Sequence, residues 1–308
     1  MQYSKQTPAL EAGQPKAVRP KVGFVAMVGR PSAGKSTLIN QLCGEKVSIV
    51  SSVPQTTRNA IRGIVNREQG QLVFVDTPGR YKSEKKGNQK LREISDQAVD
   101  DSDIILYVLD TTRSPGPEEA DIASLIAPHA ERTIAALNKT DDPNAELART
   151  HAFLAESLPA LGQDRCFEIS AKNGDGTESL LAALFELASE GEPFYDKEFY
   201  TDQEVDFRIA EIIREQAINR LQEELPHSLH VEVADAQFAG DNAGSASGRQ
   251  KLWVRAFIVV ERESQKGIVV GKGGAMIKEI RLASLKELGK VFDWKIDLDL
   301  RVKASASR

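Results

Sequence analysis

The segment that most constrains this chain is Gly29-Arg-Pro-Ser-Ala-Gly34-Lys35-Ser36, which follows the apolar run Val22 to Val28 and opens a stretch carrying Leu38, Ile39 and Leu42. The apolar run reads as a buried strand and the spacing after it as a helix. A G-x-x-x-x-G-K-[ST] pattern in that strand, loop, helix context is a phosphate-binding loop. Its glycines let backbone N–H groups line a nest at a helix N-terminus, Lys35 offers a point charge to the β and γ phosphates, and the Ser36 hydroxyl suits Mg²⁺. Gly29, Ser32, Ala33, Gly34 and Thr37 complete the expected nucleotide contacts.

Similar apolar runs recur at Leu72 to Val75, Ile104 to Leu109, Thr133 to Leu137 and Cys166 to Ile169, with helical stretches such as Glu178 to Ala188 between them. This alternation predicts an α/β fold, a mainly parallel sheet with helices on both faces. Three of the runs end in chemistry. Asp76-Thr-Pro-Gly79 places a carboxylate where it can hold Mg²⁺ through water, and the Gly79 N–H where it can meet a γ-phosphate. Asn138-Lys139-Thr-Asp141 suits base recognition: a carboxylate at Asp141 accepts from guanine N1–H and N2, whereas adenine offers no donor at N1. Ser170, Ala171 and Lys172 then close over the base.

These segments, in this order, resemble the TrmE–Era branch of P-loop GTPases. The resemblance implies binding of GTP and GDP with Mg²⁺, and hydrolysis by in-line attack of water. It makes Lys35, Asp76, Gly79 and Thr57 the catalytic residues and Ser36, Thr57 and Asp76 the metal ligands. Thr57 lies in Gln55-Thr56-Thr57-Arg58, similar to the family's first switch, with Thr56 as the alternative ligand. Two departures bear on activity. Arg80 stands where Ras-type enzymes place a water-orienting Gln, so slow intrinsic turnover is expected, and Ser32 stands where relatives often have an Asn linked to potassium.

Around Gly191 to Tyr200 the pattern stops in a stretch with Pro193 and four aromatics. Thr201 and Glu204 then read as a capping box for a helix placing Ala210, Ile213, Ala217, Leu221 and Leu225 on one stripe and ending at Pro226. Strands follow at Leu229 to Ala234 and Leu252 to Val260, joined by the polar stretch Gly240 to Gly248, which reads as a flexible hairpin tip. Gly271-Lys272-Gly273-Gly274 opens a helix from Ala275, with Met276, Ile280 and Ala283 on one side, and Lys295 to Val302 is a last strand. A G-x-x-G loop at a helix start, with Lys272, Lys278 and Arg281 beside it, offers single-stranded RNA backbone both a dipole and cations. With Glu211-Ile-Ile-Arg-Glu215 and Ile268 to Lys278, this part resembles the type II KH domain of Era-like GTPases. The resemblance implies binding to the 3′ end region of 16S rRNA and assistance in assembling the small ribosomal subunit. The expected organisation is a disordered tail (1–20), a GTPase domain (21–192), a linker (193–204), a KH domain (205–304) and a short tail (305–308).

The 308 residues carry a formal charge of −5, but from Arg262 onward 11 basic residues face 6 acidic ones, leaving −10 before that point. The basic surplus therefore sits with the G-x-x-G loop. Hydrophobic residues at 41% and charged residues at 28% describe a soluble globular chain and exclude collagen-like or low-complexity classes. Two distant cysteines suggest neither disulfides nor zinc, and the polar Met1 to Pro20 stretch and lack of a long apolar run argue against secretion and membrane spanning. A cytoplasmic monomer is expected, with peripheral contact to anionic lipid left open by the basic end. Glu211, Glu215, Glu223 and Glu224 read as a solvated helix face. Beside an RNA-coupled GTPase stand two alternatives: a guanine-nucleotide sensor with negligible hydrolysis, and a membrane-surface or cell-cycle GTPase.

Overall fold

A computed structural model describes residues 19–51, 60–79, 86–221, 225, 229–238 and 250–305, and for 86–92 the backbone alone. The first unit runs β1 (Lys21–Val28), α1 (Lys35–Cys43), β2 (Ile61–Arg67), β3 (Gly70–Asp76), α2 (Lys86–Asp101), β4 (Ile104–Asp110), α3 (Pro117–Ile126), β5 (Thr133–Asn138), α4 (Leu147–Ser157), β6 (Cys166–Ile169), α5 (Thr177–Leu187) and β7 (Ser189–Glu190). The sheet order is β2-β3-β1-β4-β5-β6, with β7 antiparallel on β1 and β2 antiparallel on β3; the other pairings are parallel.

Period-two geometry sends alternate residues of one strand to opposite faces. Val25, Met27, Leu106 and Val108 enter the core under α1 and α5, while Ala26, Val28, Ile105, Tyr107 and Leu109 enter a second core with α3 and α4. Burying each large apolar side chain contributes about 1.5–3 kcal/mol, which is why these strands are apolar on both faces. The phosphate loop, Asp76, Asn138 and Ser170 all follow the C-terminal ends of parallel strands, so the fold gathers them along one edge. β2 was not foreseen: its Gly63 and two arginines hide a strand whose alternate residues are buried.

The second unit runs α6 (Val205–Ile218), β8 (His230–Phe238), β9 (Lys251–Val260), α7 (Glu263–Val270), α8 (Ala275–Val291) and β10 (Lys295–Ala304). Its sheet order is β10-β9-β8, parallel then antiparallel, with a core that includes Ile213, Leu252, Val254, Ile280 and Leu288. The inward stripe of α8 passes through Ile280, Ser284 and Leu288, with Ala283 half-buried.

Three expectations need correction. The Thr201 and Glu204 capping box does not form, because α6 starts at Val205 with Glu204 itself at the N-cap; Thr201, three residues before that, donates its hydroxyl to the Arg62 carbonyl at 2.8 Å and accepts the Gln203 N–H at 3.3 Å. α6 stops at Ile218, where the Asn219 N–H meets the Glu215 carbonyl; Leu221 packs beyond it, and Pro226 lies outside the described residues. Glu215 is not solvated: it is 4% exposed, because the outer side of α6 is covered by residues 46–51 of the first unit. Glu211 pairs with Arg214, while Glu223 and Glu224 lie outside the described residues.

Residues 193–204 are fastened to β2 and β3. The Gln71 amide bonds the backbone of Phe194 and Tyr195, Asn66 donates to the Lys197 and Phe199 carbonyls, and the Ile64 N–H donates to Tyr200. The Arg208 guanidinium lies about 5 Å from both the Tyr200 and Phe292 ring centres, joining this segment to the second core. Among the described residues no helix is long and apolar enough to cross a membrane, and Cys43 and Cys166 are free and half-buried. Residues 1–18, the Gly240 to Gly248 stretch and residues 306–308 lie outside the described residues.

Candidate functional site

The loop between β1 and α1 has the form phosphate binding needs. Gly34 has φ 99°, and a Cβ there would sit 2.2 Å from Asn138 Nδ2, so both the backbone and the space require glycine. Ser32 also lies in the left-handed region, at φ 63°. Gly29 is buried at the end of β1, Ala33 is buried, and Thr37 is half-buried in the first turn of α1. Lys35 is 6% exposed and donates to the Gly29 and Arg30 carbonyls at 3.0 and 3.2 Å. Burial lowers its pKa to about 8, against the opposing pull of the Asp76 carboxylate. Both hydrogen-bond partners are neutral, so an arriving phosphate stabilises the charged form.

Asp76 ends β3 fully buried, and its Oδ2 accepts hydrogen bonds from Ser36 Oγ at 2.8 Å and Ser48 Oγ at 2.9 Å. Ser48 is fixed by Asn40, whose Oδ1 accepts from the Val47 and Ser48 N–H groups and whose Nδ2 donates to the Ser48 carbonyl, each at 2.8 Å. A hydroxyl and a carboxylate turned to one point form a hard-oxygen donor set that suits Mg²⁺. Among the described residues no three His, Cys, Asp or Glu converge. The Thr77 hydroxyl donates to the Met27 carbonyl at 2.8 Å, and Gly79 lies so close to the phosphate loop that a Cβ would be 2.6 Å from Pro31 N. Thr56, Thr57 and Arg80 lie outside the described residues.

On the base side, Asn138 is an internal tie. Its Nδ2 donates to the Ala33 carbonyl and its Oδ1 accepts the Ala171 N–H, both at 2.9 Å, so one side chain joins the phosphate loop to the segment after β6. Lys139 has φ 72° and donates to Asp110 Oδ2 at 2.7 Å. Asp141 Oδ1 accepts from Ser170 Oγ at 2.7 Å, and Lys172 Nζ lies 3.7 Å from Oδ2. The Ser170 hydrogen bond, with Lys172 adding its charge, holds the Asp141 carboxyl below the usual carboxylate range. It is therefore an ionised acceptor at neutral pH. The structure thus ties Lys35, Ser36 and Asp76 together on one side and Asn138, Asp141, Ser170 and Ala171 on the other, with Lys139 turned to Asp110. Asn40, Ser48 and Asp110 join them without having been signalled by any local motif.

In the second unit Gly271, Gly273 and Gly274 have φ of 74°, 62° and 79°, turning the chain from α7 into α8. Lys272 and Lys278 are exposed there, and the first turn of α8 holds no acidic residue. Arg281 is instead half-committed to β10: its Nε donates to the Leu298 carbonyl at 2.6 Å and its Nη2 lies 3.8 Å from Asp297.

Residues 24–139 match the family described as 50S ribosome-binding GTPase, and residues 224–305 match the KH domain family. The GTPase Era of Treponema denticola is 50% identical over 283 residues, covering 92% of this chain and 94% of that protein. The GTPase Era of Borreliella burgdorferi is 42% identical with the same coverage. Among solved structures, Era in complex with MgGDPNP and nucleotides 1506–1542 of 16S ribosomal RNA aligns at TM-score 0.85 and 32% identity, covering 93% of this chain and 94% of that one. An Aquifex aeolicus Era variant bound to GDP and AlF4⁻ aligns at TM-score 0.84 and 32% identity, over 92% and 94%. Identity at this level across both units, over nearly the full length of each relative, makes the chain a member of the Era family of GTPases.

Proposed function

We propose that this protein is a cytoplasmic GTPase that binds the 3′ end region of 16S rRNA through its KH domain and assists assembly of the small ribosomal subunit. The GTPase domain is read as residues 21–192, the linker as 193–204 and the KH domain as 205–304. Lys35 and the backbone N–H groups of the phosphate loop bind the β and γ phosphates, Asp141 reads guanine, and Gly79 presents its N–H to the γ-phosphate. Ser36 and Asp76, with Thr57, would hold Mg²⁺, which neutralises charge on the phosphate oxygens when bound. The chain's own contribution to hydrolysis is preorganised charge stabilisation of the in-line attack, and with Arg80 after Gly79 intrinsic turnover is slow.

The observation that carries the RNA half is the G-x-x-G loop itself. Three left-handed glycines hold the backbone open at the start of α8, with Lys272 and Lys278 exposed around it. That arrangement suits a nucleic-acid backbone with unstacked bases. The test is fluorescence anisotropy of a labelled oligonucleotide from the 16S rRNA 3′ end, with a scrambled strand as control, in the presence of GDP or a non-hydrolysable GTP analogue. Preferential binding of the 3′-end strand supports the reading. Equal binding of both strands, or none at low salt, removes it.

A further inference from the structure

Asp110 ends β4 and belongs to none of the motifs above, yet its side chain is 1% exposed. Its Oδ2 accepts from Lys139 Nζ at 2.7 Å, and Arg30 Nη2 lies 3.5 Å from the same oxygen. Its Oδ1 accepts from the Thr112 N–H at 3.0 Å and the Thr112 hydroxyl at 2.6 Å. Arg30 in turn pairs with Glu119 at 3.0 Å, and Glu119 accepts the Gly116 N–H at 2.8 Å. Glu119, Arg30, Asp110 and Lys139 thus form a row of alternating charge behind the nucleotide site.

Two members of that row are part of functional backbone: the Arg30 carbonyl accepts from Lys35, and Lys139 stands between Asn138 and Asp141. Lys139 also holds φ 72°, a left-handed conformation that is strained for a residue with a Cβ, so something must secure it. Burial alone would push the Asp110 carboxyl up, but hydrogen bonds from Lys139 and Thr112 outweigh it and keep the group ionised.

We propose that Asp110 is a positioning residue for nucleotide binding, holding Lys139 against the end of β4 and, through Arg30, keeping the base-recognition segment in register with the phosphate loop. This rests on reading residues 29–36 and 138–141 as a guanine-nucleotide site. The contact also draws the Lys139 ammonium toward β4, leaving the nearby Asp141 carboxylate as an acceptor for the base. Asp110 acts through other residues, so its loss weakens nucleotide affinity and leaves the chemical step, carried by Lys35, Ser36 and Asp76, in place.

The test uses the full chain and its Asp110→Asn, Asp110→Glu, Lys139→Met and doubly substituted variants, measuring GDP affinity with a fluorescent analogue and steady-state GTP hydrolysis. Asp110→Asn is expected to raise the GDP Kd and the GTP KM about tenfold with kcat within twofold, and Asp110→Glu to recover most of the loss. In the Lys139→Met background the same Asn substitution should cost less than it does in the unsubstituted chain, since only the Arg30 contact is left to lose. Unchanged affinity, a fall in kcat at constant KM, or additive losses would overturn the proposal. Should Asp110→Asn fail to fold, Thr112→Val removes the 2.6 Å hydroxyl bond and keeps the carboxylate. A loss of about threefold in GDP affinity then supports the proposal and no loss overturns it. Failure of the underlying reading is distinct: the unsubstituted chain would then bind neither GDP nor GTP, and the proposal would fall with it.

Discussion

Lys46 and Glu215 join the two units: the Lys46 ammonium lies 2.5 Å from Glu215 Oε2, while the other carboxylate oxygen accepts the Val50 N–H at 2.8 Å. Between these two anchor points stands Ser48, whose hydroxyl is on Asp76. One short strap therefore touches both the α6 helix and the carboxylate read as a metal ligand.

Removing one partner of a largely buried charge pair costs about 3–5 kcal/mol, because it leaves the other charge uncompensated. The Lys46 side chain is 22% exposed and that of Glu215 5%, so the lower half of that range applies. Lys46→Ala, which strands the more buried carboxylate, should lower stability by about 3 kcal/mol, and Glu215→Ala by less, because the Lys46 ammonium is more exposed and keeps Glu287 at 3.6 Å. Urea unfolding of both variants and of the double variant checks this. Additive losses would mean that the two residues do not act as a pair.

Asn138 bonds the phosphate loop on one side and residue 171 on the other, and each bond is made to a buried backbone group. Asn138→Ala leaves the Ala33 carbonyl and Ala171 N–H unpaired, at about 1–3 kcal/mol each. A Kd for GDP at least tenfold higher is expected, read by equilibrium fluorescence, together with a lower unfolding midpoint for the nucleotide-free chain.

The Lys35 ammonium has its pKa lowered to about 8 by burial, from an ordinary 10.5. The folded, nucleotide-free chain thus binds fewer protons than the unfolded chain between about pH 8 and pH 10.5. Its stability contribution therefore rises through that window, by up to about 1.4 kcal/mol per pH unit. A bound phosphate favours the charged form, so nucleotide binding near pH 8.5 should take up more than half a proton. Calorimetry in buffers of different ionisation enthalpy measures that number, and Lys35→Met should abolish it.

At the G-x-x-G loop, Lys272 is an exposed cation between left-handed glycines. Lys272→Ala should weaken RNA binding and reduce the slope of log K against log salt by about 0.7, the share of one phosphate contact on a single strand. GTP hydrolysis without RNA should be unchanged. Anisotropy titrations at several salt concentrations provide the check.

The segments carrying Lys35, Asp76, Asn138 and Asp141 were legible because each is contiguous and follows a strand, so local pattern alone singled them out as one edge of the sheet. Asn40, Ser48 and Asp110 were not legible: they act by reaching segments distant in sequence, and a lone Asn, Ser or Asp carries no local signal. Glu215 was misread because helical periodicity reports only the face a helix turns to its own sheet. It says nothing of the second surface that residues 46–51 supply. Thr201 carried a capping-box pattern, but its hydroxyl fastens residues 193–204 to β2 through the Arg62 carbonyl, and the helix begins three residues later than the pattern implies, with Glu204 at its N-cap. β2 itself was hidden by Gly63, which takes the place of a side chain against α1: a Cβ there would come within 2.8 Å of Ile39 and Cys43.

The most direct test of the account is GTP hydrolysis by the purified full chain, with ATP as control, with and without a single-stranded oligonucleotide from the 16S rRNA 3′ end. Slow hydrolysis of GTP but not ATP, accelerated by that strand and not by a scrambled one, is the predicted result. Hydrolysis indifferent to the strand, with no detectable RNA binding even at low salt, would contradict it.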